Sequence, residues 1–74
     1  MMPLTLASVG EEVRLVDIRG GQDLRKRLAD LGFNVGMTLR IVQKDVNGPM
    51  ILAVKDSRMV LGRGMAQKVM VELN

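Results

Sequence analysis

The chain has 74 residues, a net charge of +3 and no Cys, His, Trp or Tyr. These properties exclude a disulfide framework, a conventional zinc or copper site, and the thiol and imidazole chemistry of most enzymes. The length fits one domain, residues 1–74, and 47% of the residues are apolar, so aliphatic packing must stabilise it. No apolar run is long enough to span a bilayer or to act as a secretory signal, and we expect a cytoplasmic protein without membrane insertion.

The first regular element is predicted to be a strand, "VRLVDIRGG" at residues 13–21, which follows an extended lead-in. Its alternation is imperfect, because Val13 and Leu15 share one face while Val16 and Ile18 share the other. Either both faces are covered or a bulge shifts the phase near Leu15 and Val16. Small, strongly curved barrels often need such a bulge, and this favours the second interpretation.

A short amphipathic helix is predicted next, in "LRKRLADLGF". Its apolar stripe is Leu24, Leu28 and Leu31, at the i, i+4 and i+7 positions of one face. Gly32 follows the last Leu, where a left-handed C-cap is expected, and Phe33 is expected in the core. A helix of about ten residues is unstable alone, so it must dock on the rest of the domain.

The charges of this helix are predicted to form local ion pairs. Asp23 with Arg27 and Lys26 with Asp30 have the i, i+4 spacing that places opposite charges side by side. Arg25 has Ala29 at its i+4 position, and the sequence shows no local acid for it.

The second half of the chain alternates short strands with turn formers such as "DVNGP". Strands are predicted in residues 36–44, 50–56, 57–62 and 69–73, with one helical turn in residues 63–68. The residues predicted to face inward are Leu39, Ile41, Met50, Leu52, Val54, Met59, Leu61, Val69 and Val71. The pattern indicates an all-β class, a small bent barrel of five to six short strands with one short α-helix capping an open end, in the group that includes SH3-like and OB architectures.

These motifs closely resemble the ferrous iron transport protein A (FeoA) family from about residue 4 to residue 72. The family pattern Leu-Arg-x-Arg-Leu-x-x-Leu-Gly-x-x-x-Gly is matched by Leu24, Arg27, Leu28, Leu31, Gly32 and Gly36, and Pro49 and residues 58–71 match its last strands. Many members have Pro before the second glycine of this pattern, where the chain has Val35.

The resemblance implies an SH3-like barrel and a non-enzymatic accessory role in ferrous iron uptake. Family members are partners of the membrane Fe(II) transporter FeoB, which carries a cytoplasmic GTPase domain. We therefore expect this chain to bind the GTPase-containing cytoplasmic part of FeoB and to modulate uptake, with recruitment to the inner face of the membrane. Weak homo-oligomerisation is a further option, and transition-metal binding belongs to the family description only.

The candidate partner-binding residues are basic residues and apolar residues that are expected to point outward. They are Arg25, Lys26, Ile51, Ala53, Val60, Arg63, Met65 and Met70. If the outward apolar residues lie on neighbouring strands, they form a patch of the kind that marks an interaction surface. The alternative is a solvated basic face with scattered exposed apolar residues, which are common on monomers.

No catalytic, cofactor-binding or metal-ligating residues are predicted. The carboxylates are dispersed, and an all-carboxylate site would favour hard cations over Fe²⁺. Gly20-Gly21 and "GRG" at 62–64 do not match a phosphate-binding loop, and we expect them to serve turns with positive φ. Two alternatives remain open: a nucleic-acid-binding barrel, which needs exposed aromatic platforms, and a stand-alone relative of the SH3-like C-terminal domain of metal-dependent repressors.

Overall fold

Six strands form one antiparallel sheet in the order β1-β6-β2-β3-β4-β5. The computed structural model describes all residues, 1–74. The elements are β1 (Met2–Pro3), a 3-10 turn (Leu4–Leu6), β2 (Glu12–Ile18), α1 (Gln22–Asp30), β3 (Thr38–Lys44), β4 (Met50–Val54), β5 (Ser57–Leu61), α2 (Arg63–Ala66) and β6 (Val69–Leu73). The predicted all-β class with one short capping helix is confirmed. Neither α-helix has the length and apolar character that a membrane-spanning helix requires.

Two bulges bend this sheet. In β2 the register against β6 shifts between Leu15 and Asp17, which makes Val16 the extra residue and confirms the predicted bulge. In β3 the register against β4 shifts between Ile41 and Gln43. A bulge adds local twist, so the two bulges curl the sheet around its apolar face.

The curled sheet surrounds one core of fifteen buried apolar residues. Seven of the nine residues predicted to face inward are buried: Leu39, Ile41, Met50, Leu52, Leu61, Val69 and Val71. The other two, Val54 and Met59, are half-buried and pack against the core. The alternation of β3, β4, β5 and β6 therefore predicted their inward faces correctly.

The helix α1 contributes only one fully buried side chain, Leu28. Leu24 is half-buried, but Leu31 is 48% exposed, so the predicted three-residue stripe is wrong at its C-terminal end. The reason is a Schellman C-cap: Phe33 N–H donates to Leu28 O at 2.9 Å and Gly32 N–H donates to Ala29 O at 2.9 Å. Gly32 has the expected left-handed φ of +99°. The reversal after Leu31 carries Phe33 into the core, where it is 2% exposed.

Candidate functional site

The candidate interaction surface is the outer face of the β4–β5 hairpin. Ile51 pairs with Val60 across the two strands, and Ala53 pairs with Arg58. Ile51 and Ala53 are half-buried, while Val60 is 64% exposed. We call these four residues, Ile51, Ala53, Arg58 and Val60, the outer hairpin face. It brings together three of the predicted partner-binding residues, and the cross-strand register is what aligns them.

Two other predicted residues lie on α2, which follows β5 directly. Arg63 is exposed and takes part in none of the three ion pairs of the chain. Met65 is half-buried and packs against the core. Arg63 therefore adds an unpaired positive charge directly after β5. The buried part of the Met65 side chain, by contrast, stabilises the fold.

Met70 does not belong to an exposed surface. Its side chain is only 5% exposed, in contrast to the outward position expected from alternation along β6. Met70 is flanked by Pro3 on β1 and by Asp17 on β2, at the point where the bulge inserts Val16, and the 3-10 turn also contacts β6. Three consecutive residues, 69–71, are buried, so β6 is covered on both faces.

The basic residues of α1 form a separate group. Arg25 Nη2 lies 3.7 Å from Asp17 Oδ1, and Arg25 Nε donates to Gly20 O at 3.4 Å. The sequence shows no local acid for Arg25, and its partner in the structure is the distant Asp17, because α1 docks beside the end of β2. Both Arg25 and Asp17 are about half exposed, so this pair is worth at most about 1 kcal/mol.

The predicted local ion pairs of α1 are absent from the structure. The three ion pairs of the chain join Arg14 to Glu72, Arg25 to Asp17 and Arg40 to Glu12. Lys26 is exposed and unpaired. Asp17, the partner of Arg25, lies on β2, which β3 separates from β4 in the sheet.

The carboxylates are not gathered into a metal site. No group of three acidic side chains lies close enough to hold an ion. Glu11 Oε1 accepts from the Ser8 N–H at 2.6 Å, and Glu12 Oε2 lies 3.6 Å from Arg40 Nη2. Glu11 therefore caps a turn, and Glu12 lies close enough to Arg40 to neutralise its charge.

The glycines differ in what the backbone requires of them. Gly20 has a positive φ, as expected, but Gly62 has φ −61° and precedes α2 as its N-cap. Gly21 and Gly64 also lack a positive φ. A Cβ added at Gly21, Gly62 or Gly64 would meet no atom within 4 Å. The expectation of positive φ is thus wrong for Gly21 and for "GRG". Gly21 and Gly62 are instead the N-caps of α1 and α2, where their carbonyls accept from the N–H groups of Arg25 at 3.1 Å and Ala66 at 2.9 Å. Nothing in the structure explains Gly64.

A small opening lies beside the hairpin. It has a volume of about 220 Å³. Its lining residues are Thr5, Lys44, Asp45, Val46, Gly48, Met50 and Arg63. Lys44 Nζ donates to Ala7 O at 3.0 Å, which ties the end of β3 to the 3-10 turn. The sequence carried no signal for this opening, because its walls come from three separate segments.

Comparison with known proteins decides the family. The family model described as FeoA domain matches residues 2–73, nearly the whole chain. The chain belongs to the FeoA family. A curated relative from Methanocaldococcus jannaschii, "Putative Fe(2+) transport protein A", is 42% identical over 72 residues, which cover 97% of this chain and 87% of that protein.

Solved structures agree with this assignment. A crystal structure described as Iron Uptake Regulatory Protein (FeoA) superposes with a TM-score of 0.89 at 32% identity and covers 96% of this chain and 95% of that one. The metal-dependent transcriptional regulator MtsR superposes with a TM-score of 0.85 at 20% identity, and this chain corresponds to 34% of that longer protein. The second likeness concerns the fold alone. The expected SH3-like fold and the assignment to iron transport are confirmed.

Proposed function

We propose that this FeoA-family chain is a non-catalytic accessory protein of ferrous iron uptake. It binds the GTPase-containing cytoplasmic part of the transporter FeoB and modulates uptake from the inner face of the membrane. The observation that carries the proposal is the outer hairpin face, which joins an exposed apolar residue, Val60, to an unpaired cation, Arg58. Apolar area flanked by charge is a common composition for a protein-binding patch.

The rest of the chain supports a binding role. Its titratable groups are dispersed on the surface, and no buried polar or charged side chain is present. Acid–base catalysis relies on groups that are held together in a protected site. Phe33, the only aromatic residue, is 2% exposed and unavailable for base stacking, which argues against the nucleic-acid-binding alternative.

A binding measurement with matched variants tests the proposal. The probe is the purified cytoplasmic GTPase-containing part of FeoB, with and without guanine nucleotide, titrated with the chain by calorimetry. Val60→Asp places a charge in the apolar patch, and we expect affinity to fall at least about tenfold. Val35→Asp is the control, because Val35 is 62% exposed, close to the 64% of Val60, but lies in the loop that pairs with β2.

Three results would contradict the proposal. If the wild-type chain does not bind the FeoB fragment in either nucleotide condition, FeoB is not its partner. If wild type and Val60→Asp bind equally well, the outer hairpin face is not the contact surface. Equal losses in Val60→Asp and Val35→Asp would show a general charge effect. Far-UV circular dichroism of both variants checks that each remains folded.

A further inference from the structure

The strand β5 is an open edge of the sheet. It pairs with β4 only, and its other side has no partner strand. The opposite edge of the sheet, β1, has just two residues and pairs with β6. The sheet therefore curls around the core without closing through strand pairing, and the five residues of β5 present an unpaired backbone edge.

The register identifies the free backbone groups. The turn between β4 and β5 has two residues, Lys55 and Asp56, and the strand pair that closes it is Val54 with Ser57. In such a hairpin the two residues of the closing pair form both backbone hydrogen bonds with each other. Along the ladder, hydrogen-bonded pairs then alternate with pairs that form none, and Arg58 and Val60 belong to the second kind. The N–H and C=O groups of Arg58 and Val60 consequently point away from β4. No turn or loop hydrogen bond uses these groups.

The charges beside this edge have one predominant sign. Lys55 precedes β5, Arg58 lies within it and Arg63 follows it, and none of the three forms an ion pair. Asp56 is the one carboxylate in the segment 55–63. An added strand with acidic residues would compensate this charge, whereas the same strand of a second copy would add to it.

We propose that β5 is the docking edge for an extended acidic segment of a partner protein. The segment adds a seventh strand to the sheet, its backbone pairs with the free N–H and C=O groups of Arg58 and Val60, and its alternate side chains contact the outer hairpin face. An acidic residue lies beside Arg58 and an apolar residue beside Val60. Strand addition of this kind takes affinity from the main chain and specificity from alternate side chains. The inference rests on the proposed protein-binding function and names its mode.

Amide hydrogen exchange of the wild-type chain, followed by NMR, is the direct test. The probes are the FeoB cytoplasmic fragment and a designed strand peptide of about nine residues, a length typical of strands. Arg58 and Val60 share one face of β5, so the peptide has Glu and Val in turn at every second position, on one face, and Thr at the positions between them. Its twin has Lys in place of each Glu. We expect the amides of Arg58 and Val60 to exchange quickly in the free chain and at least about tenfold more slowly with the fragment or the acidic peptide. Met59, whose amide belongs to the β4–β5 ladder, is the internal reference.

Matched variants at Val60 separate the backbone from the side chain. Val60→Pro removes the outward N–H without removing a ladder hydrogen bond, a position where edge strands tolerate proline. Val60→Thr keeps the N–H and the branched shape. We expect the acidic peptide to bind Val60→Pro at least about tenfold more weakly than Val60→Thr. If Val60→Pro fails to fold, the exchange measurement on wild type decides.

The outcomes distinguish this inference from the proposed function. If the FeoB fragment binds while Arg58 and Val60 continue to exchange quickly, the docking edge is wrong and the proposed function stands. If the fragment does not bind, the acidic peptide alone decides: protection of these amides supports the edge, and no protection overturns it. Equal protection by the Lys peptide overturns the acidic chemistry. Protection that rises with chain concentration, without either probe, shows that a second copy occupies the edge.

Discussion

Leu28 anchors α1 to the core, and its truncation offers the sharpest test of the packing. Leu28 is fully buried, whereas Leu31, three residues later, is 48% exposed. Leu→Ala substitution at an enclosed site costs about 2.5–5 kcal/mol, because transfer free energy is lost and a cavity remains. At a half-exposed site little apolar area is lost and no enclosed cavity forms, so Leu31→Ala should cost less than about 1 kcal/mol.

The expected cost of Leu28→Ala is large relative to the free energy of unfolding of the whole domain. For a chain of 74 residues we expect a free energy of unfolding of roughly 4–11 kcal/mol, because typical domains have about 0.05–0.15 kcal/mol per residue. Leu28→Ala would thus remove roughly a quarter or more of the free energy of unfolding and lower the melting temperature by at least about 10 °C. Leu28→Val, with an expected cost of about 1 kcal/mol, provides a measurable value if the Ala variant is unfolded.

Urea unfolding followed by far-UV circular dichroism is the suitable assay, because the chain contains no Trp or Tyr for fluorescence. The free energy of unfolding is compared for wild type, Leu28→Ala and Leu31→Ala. Equal losses in the two variants would refute the reasoning, because they would mean that Leu31 faces the core as the helical periodicity alone predicts.

Three further predictions concern the backbone and metal binding. Lys55 has φ +53° in the β4–β5 turn, so Lys55→Gly should raise the free energy of unfolding by roughly 0.5–1 kcal/mol, and a lower urea midpoint would contradict the strain argument. Gly36 has φ +97°, and Gly36→Ala should cost about 1–2 kcal/mol, while Gly64→Ala, in open space within α2, should leave stability unchanged or raise it by up to about 0.5 kcal/mol. Losses of equal size in the two alanine variants would refute this distinction. Anaerobic titration with Fe²⁺ should show no stoichiometric binding at micromolar concentration, since the chain lacks His and Cys, and a saturating calorimetric signal would contradict this.

The charged residues show where local reasoning fails. Asp23 and Arg27 have ideal helical spacing, yet the ion pair of α1 joins Arg25 to Asp17 on β2. An exposed i, i+4 pair is worth only a few tenths of a kcal/mol, so it does not hold two long side chains in one geometry. Spacing along one helix contains no information about the strand against which the helix docks.

Patterns within single elements were determined by the sequence itself. The bulge at Val16, the glycine C-cap at Gly32 and the inward faces of the strands follow from backbone periodicity and the steric freedom of glycine, which act over a few residues. The order of strands in the sheet was decided only by the tertiary structure. It buries Met70 between two neighbours and leaves Val60 on an open edge, although both are apolar residues at outward positions of short strands. Burial of an outward residue depends on what packs beside its strand, and that neighbour comes from a distant part of the chain.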